Sequence, residues 1–158
     1  MNRYLIYLVT LLVIAGSVFS CSDDDEQGLS VQEQFEKETA EIDQYLTENG
    51  IKALVDSASG LRYVLKNDTI SEHPQPKDVI VFNYAGRFLS DEVFEEGDSL
   101  EVTLGSLIPG FQRGLQLFSE GTSGTLFIQS YYGYGKTGQG PVPPNTPLIF
   151  EVDLIEVK

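Results

Sequence analysis

The stretch from Tyr131 to Val157 constrains the fold more than any other part of the chain. Its final segment alternates, with Leu148, Phe150, Val152 and Leu154 on one face and Ile149, Glu151, Asp153 and Ile155 on the other. That period of two predicts a half-buried strand. Pro143 and Pro144 come just before it and cannot donate to a central ladder, so they mark a turn. Upstream, Gly133, Gly135, Gly138 and Gly140 allow a tightly folded loop that carries tyrosines. Such a loop offers no nucleophile, metal ligand or acid–base pair. It suits a site that binds a shape, with tyrosines over an apolar floor.

The preceding elements set the class. Residues 30–48 read as one helix: Ser30 and Glu33 form a capping-box pattern, and Val31, Phe35, Ile42 and Leu46 keep a helical stripe above an acidic polar face. Asn49 and Gly50 close it. This helix is expected to pack on the main domain or to act as a spacer, with self-association as the weaker alternative. Leu61 to Lys66 is a candidate strand, and His73 to Pro76 a loop. Val79 to Phe88 is rich in β-formers, Leu100, Val102 and Leu104 alternate, and so do Leu126 and Ile128. One short helix interrupts them, opened by Pro109 and Gly110, carrying Phe111, Leu115 and Phe118, and stopped near Gly121. Strands, one short helix and strands again predict an α+β fold with an antiparallel sheet.

The chain has 158 residues and a net charge of −14, from 10 Lys+Arg against 24 Asp+Glu. That balance argues against nucleic acid and anionic lipid surfaces as partners. At the N-terminus, Arg3 precedes an apolar run from Leu5 to Ala15, then Val18, Phe19, Ser20 and Cys21, as in a cleavable signal. Cys21 is the only cysteine, so no intrachain disulfide can form. Val18-Phe19-Ser20-Cys21 resembles the lipobox of bacterial lipoproteins, with Phe19 in place of the usual small residue. The resemblance implies lipidation at Cys21 in a bacterial envelope and membrane contact through the lipid anchor only, and the acidic run after Cys21, which resembles a lipoprotein surface-export signal, favours the outer membrane, on its periplasmic or its surface face. Ser22 to Glu26 reads as a solvated acidic spacer.

From Ser59 onward the chain resembles the FKBP-type peptidyl-prolyl cis-trans isomerases, block by block. The blocks are Val81-Phe82-Asn83-Tyr84-Ala85-Gly86, Val93-Phe94-Glu95, Leu104-Gly105 with Leu107-Ile108-Pro109-Gly110-Phe111, Gly114-Leu115, and the Tyr132-Gly133-Tyr134-Gly135 loop with its Pro143-Pro144 turn and last strand. The resemblance implies an antiparallel sheet curled around one short α-helix, here with an N-terminal helical extension. The organisation expected is a signal over 1–20, a tether over 21–29, the extension over 30–58 and the isomerase domain over 59–158. It further implies catalytic roles for Tyr134, Ile108, Phe94 and Glu95, and substrate contacts from Tyr84, Leu100, Leu107, Phe111, Val142 and Phe150. Phe111 would be the pocket floor, with Tyr84, Phe94 and Phe150 as walls. The Ile108 amide and Tyr134 hydroxyl would hold substrate carbonyls.

The implied partners are proline-containing polypeptides, and macrolides as ligands of the family. No cofactor and no metal are called for. Phe111 replaces the family's usual tryptophan, Leu100 a common phenylalanine, and Glu95 an aspartate. These departures leave open an alternative: a weakly active or inactive module that binds proline segments. Other motifs fall away. Gly135-Lys136-Thr137 lacks the first glycine of a P-loop and any following helix. His73, the single histidine, has no local support for a triad or a metal site. Asp56-Ser57-Ala58 and Asp68-Thr69-Ile70 resemble a short bacterial O-glycosylation acceptor.

Overall fold

The computed structural model describes residues 28–67 and 70–158. The signal, Cys21, the acidic run after it and most of the Asp68-Thr69-Ile70 motif lie outside the described residues. In chain order the elements are α1 (Val31–Glu48), β1 (Leu54–Val55), β2 (Arg62–Leu65), β3 (Val79–Phe88), β4 (Val93–Thr103), α2 (Pro109–Leu115), β5 (Ser123–Ile128) and β6 (Leu148–Val157). Short 3₁₀ turns at Leu104–Ser106 and Ser130–Tyr132 precede α2 and follow β5.

The six strands form one antiparallel sheet in the order β1-β2-β5-β6-β3-β4. The alternation of β6 has the expected consequence on one face. Leu148, Phe150, Val152 and Leu154 are buried with Leu126 and Ile128 of β5, Ile80 and Phe82 of β3, and Phe111 and Leu115 of α2. The sheet therefore curls over α2. Two glycines let that helix lie close: a methyl at Gly110 would run into the Ile128 side chain, and one at Gly114 would stand 2.5 Å from Leu126 Cδ1. Pro109 occupies the first turn, where its missing N–H costs nothing.

The opposite face departs from a simple half-buried strand. Ile149 and Phe127 are buried there by Ile42 and Leu46 of α1, with Tyr45 packed alongside. The helix starts as its sequence predicts, with the Ser30 hydroxyl accepting from the Glu33 amide (3.2 Å) and the Glu33 carboxylate accepting from the Ser30 amide (2.9 Å). The Ser30 side chain first, and the bond from its amide second, hold the Glu33 carboxyl below its ordinary pKa. Arg62 clamps α1 to β2 by a two-pronged bond to Asp43, at 2.8 and 2.7 Å. The stripe read from sequence is buried only from its middle onward: Val31 stays exposed, and Glu38, between Phe35 and Ile42, is buried.

β3 is the second central strand, hydrogen-bonded to β4 on one side and β6 on the other, with irregularities beside Phe82 and Gly86. Such bulges sharpen the local twist and re-aim side chains. β4, the outer edge, carries exposed Glu95, Glu96, Asp98 and Glu101, charges that blunt an edge strand.

Candidate functional site

The aromatic centre of the site is built from three elements. Phe111, on the first turn of α2, is 5% exposed, and its ring lies 4.6 Å from Phe150 of β6 and 5.7 Å from Phe82 of β3, centroid to centroid. Tyr84 stands edge-on to Phe111 at 6.3 Å. Above these rings opens a cavity of about 330 Å³. Phe111, Phe150 and Phe82 line it, with Tyr84, Glu95 and Leu100 on the β3–β4 side, Ser106, Leu107 and Ile108 at the entry to α2, and Tyr134 and Gln139 from the loop after β5.

Of the residues expected at the site, Phe94 and Val142 do not line this cavity. Phe94 stands against the cavity wall, edge-on to Phe150 at 5.7 Å and packed on Phe88 at 5.0 Å. Gly86 makes that contact possible, because a methyl there would lie 2.6 Å from Phe94 Cζ and 2.8 Å from Phe150 Cε1. Val142 is buried in the core. It exchanges two backbone hydrogen bonds with Gln139, both 2.9 Å, and so presents Gln139 at the rim. Phe82, Ser106 and Gln139 were not foreseen. Phe82 sits two residues before Tyr84 on the same strand face, which was a usable signal. Ser106 and Gln139 are loop polars held by near neighbours, Ser106 by the Thr103 carbonyl (2.7 Å) and Gln139 by Val142, and no sequence pattern marks them.

Two hydrogen-bond donors in the cavity walls are unspent among the described residues. Ile108 is the N-cap of α2, and its amide has no acceptor in the fold. The segment ahead of it is fixed by Gln112, whose side-chain amide donates to the carbonyls of Leu107 (2.8 Å) and Gly105 (3.0 Å). The Tyr134 hydroxyl likewise forms no hydrogen bond with the protein among these residues. Burial, then the nearby Glu95 charge, raises its pKa, so it remains a protonated donor. Tyr84 is different: its hydroxyl donates to Glu95 at 3.0 Å. Burial first, and Glu95 second, push its pKa up to about 12.

An apolar cavity with aromatic walls and a few convergent donors has the shape and chemistry to take a compact apolar group flanked by hydrogen-bond acceptors. Among the described residues there is no cluster of His, Cys, Asp and Glu able to hold a metal.

Fold and cavity together define a small-domain pocket of curled antiparallel sheet and short helix. Residues 71–155 match the FKBP-type peptidyl-prolyl cis-trans isomerase family, and the chain belongs to it. It is 31% identical to the isomerase FkpA of Escherichia coli strain K12 over 87% of its own length and 47% of that protein's. It is 32% identical to the isomerase Mip of Chlamydia pneumoniae over 92% of its length and 60% of that protein's. The chain thus spans about half the length of the first of these curated relatives. Among solved structures, the crystal structure of FkpA from Escherichia coli superposes with a TM-score of 0.68 at 28% identity, covering 80% of this chain and 62% of that one. A peptidyl-prolyl isomerase from Pseudomonas syringae gives 0.68 at 26% identity, covering 83% and 98%.

Proposed function

We propose that this protein catalyses cis/trans isomerisation of X-Pro peptide bonds in polypeptides and assists folding in a bacterial cell envelope, held to the outer membrane by a lipid on Cys21. The observation that carries the catalytic reading is the pairing of an aromatic cavity with two unspent donors, the Ile108 amide and the Tyr134 hydroxyl. Rotation about the amide has a barrier of about 18–20 kcal/mol and takes tens to hundreds of seconds unaided. The planar amide is the polar resonance form, while the twisted one has lost that resonance. A water-poor pocket with Phe111 as floor and Tyr84 and Phe150 as walls disfavours the planar form. Donors on the flanking carbonyls hold the chain while the prolyl bond turns. Phe94 braces the Phe150 wall, and Glu95 orients the Tyr84 hydroxyl. No covalent step is needed, because the gain lies in binding the twisted state more tightly than either planar one.

The envelope reading rests on the signal-like segment after Arg3 and on the Val18-Phe19-Ser20-Cys21 motif. Proline-containing segments of envelope proteins are the proposed clients, and macrolides of the kind the family binds would compete for the same cavity. Two measurements test the proposal. A model protein whose refolding waits on an X-Pro bond should lose its slow phase when this chain is added, and labelled fatty acid should enter the wild type and not Cys21→Ala. An unchanged slow phase, with peptide binding retained, would reduce the molecule to a proline-segment binder.

A further inference from the structure

The buried Glu38 of α1 is a group that the proposed chemistry leaves unused. It is 0% exposed, and its carboxylate accepts three hydrogen bonds: from the Ser130 amide (2.5 Å), the Ser130 hydroxyl (2.6 Å) and the Gln34 side-chain amide (2.6 Å). Ser130 is 92 residues away in sequence and opens the 3₁₀ turn that leads into the tyrosine loop. Its carbonyl is a second junction, accepting from the amides of Gly133 (2.9 Å) and Gly135 (2.8 Å). Those two glycines bracket Tyr134. The Gly135 carbonyl in turn accepts from Asn145 at 2.8 Å, tying the loop to the Pro-Pro turn. Next to Glu38, the Thr39 hydroxyl accepts from the Gln129 side chain at 3.0 Å. Phe35, one turn earlier, packs edge-on against Tyr131 and Tyr132 at 6.3 and 6.0 Å.

We infer that Glu38 is a positioning residue for the isomerase site: through Ser130 it fixes the loop that aims the Tyr134 hydroxyl into the cavity. The helix before the family-matched segment would then be a working part of the pocket. A buried carboxylate suits this role because it offers only acceptors, and all three of its partners are donors. An amide of the same shape keeps one oxygen for the Ser130 amide but turns its NH₂ on the other two partners, so the Ser130 hydroxyl and the Gln34 side chain must both reverse to accept. A hydrocarbon leaves the Ser130 amide buried and unpaired, which is costly. The inference rests on the proposed function for its effect on turnover, while the anchoring itself is readable without turnover.

The test uses the full-length protein with Glu38→Gln, which keeps the volume, and Ser130→Ala, which removes one bond and leaves the backbone. Turnover of an X-Pro peptide should fall about 5- to 10-fold in Glu38→Gln and less in Ser130→Ala, roughly the loss of one to two hydrogen bonds. In a Tyr134→Phe background, Glu38→Gln should change turnover by less than about 2-fold, because the hydroxyl it positions is gone. Amide hydrogen exchange should quicken at Gly133 and Gly135 and stay unchanged at Phe82, which separates a loosened loop from general unfolding. An equal loss in both backgrounds, or unaltered exchange at the two glycines, overturns the inference. If the wild type itself shows no turnover, the isomerase reading fails. Exchange at the glycines then decides the anchor alone, with faster exchange upholding it and unaltered exchange refuting it.

Discussion

Gly86→Ala probes the site where backbone and aromatic wall meet. The added methyl would stand 2.6 and 2.9 Å from Phe94 Cζ and Cε2, and 2.8 Å from Phe150 Cε1. Carbon atoms pack best at about 3.5–4.0 Å, so roughly 1 Å must be found. The backbone cannot supply it, because Gly86 pairs with Glu95 of β4 and with Phe150 of β6. Phe150 cannot either: it is 1% exposed and pinned at 4.6 Å by Phe111. Half-buried Phe94 is the ring that yields, turning away from Phe150 and Phe88. Overpacking of this kind costs about 1–3 kcal/mol. Removing a glycine returns about 0.4–1 kcal/mol through the unfolded chain, leaving a net loss of roughly 1–2 kcal/mol. Denaturant unfolding measures that loss, and peptide turnover should fall as the Phe150 wall loses its brace. In a Phe94→Ala background the two contacts with Phe94 are gone and the 2.8 Å contact with Phe150 Cε1 remains, so the cost of Gly86→Ala should drop without vanishing. A cost below about 0.5 kcal/mol, or an equal cost in both backgrounds, refutes this account of how the wall is held.

Further predictions follow from the same geometry. The chain has no tryptophan, so Phe111→Trp installs a single reporter at the cavity floor; it should cost about 1–3 kcal/mol by overpacking against Phe150 and Phe82, and its emission should change when a proline peptide binds. An emission that ignores the peptide would place the ligand elsewhere. Tyr84 and Tyr45 both have folded pKa values raised to about 12, from burial first and from hydrogen bonds to Glu95 and Asp91 second. Their stabilising contribution is therefore full below the ordinary tyrosine pKa of about 10 and is lost as pH rises toward 12. Phenolate absorbance should show both rings ionising well after free tyrosine, and ordinary titration of Tyr84 would discount its bond to Glu95.

Much of the sheet was legible because its signals are local. β3, β5 and β6 alternate, α1 carries its capping box, and α2 opens on Pro109. β1 was not seen: Leu54 and Val55 are two exposed residues whose pairing with β2 is set by the register of the whole sheet. Nor was the full length of β4, whose Glu95-Glu96-Gly97-Asp98 run has poor strand propensity and holds because Val93–Thr103 pairs with β3. The pocket aromatics stood out in sequence as blocks. What failed to stand out was polar. Glu38 was not singled out, although positions 31, 35, 38, 42 and 46 share one helical spacing and place it on the buried stripe. A carboxylate there goes against burial expectations unless partnered, and its partner lies 92 residues away. Val142 and Phe94 illustrate the complementary limit, since a motif fixes a residue's neighbourhood without deciding whether its own atoms reach the cavity.

The central claim is that this cavity turns X-Pro bonds over, with the Tyr134 hydroxyl as a working donor. Exchange between the cis and trans forms of an X-Pro peptide, followed by NMR without any coupled protease, tests it most directly. Catalytic amounts of the full-length protein should shorten exchange from tens to hundreds of seconds to roughly a few seconds or less. Tyr134→Phe should slow that catalysis about 3- to 10-fold, the worth of one hydrogen bond, with unfolding stability nearly unchanged. Exchange no faster than in buffer, or a Tyr134→Phe variant as fast as the wild type, would contradict the account.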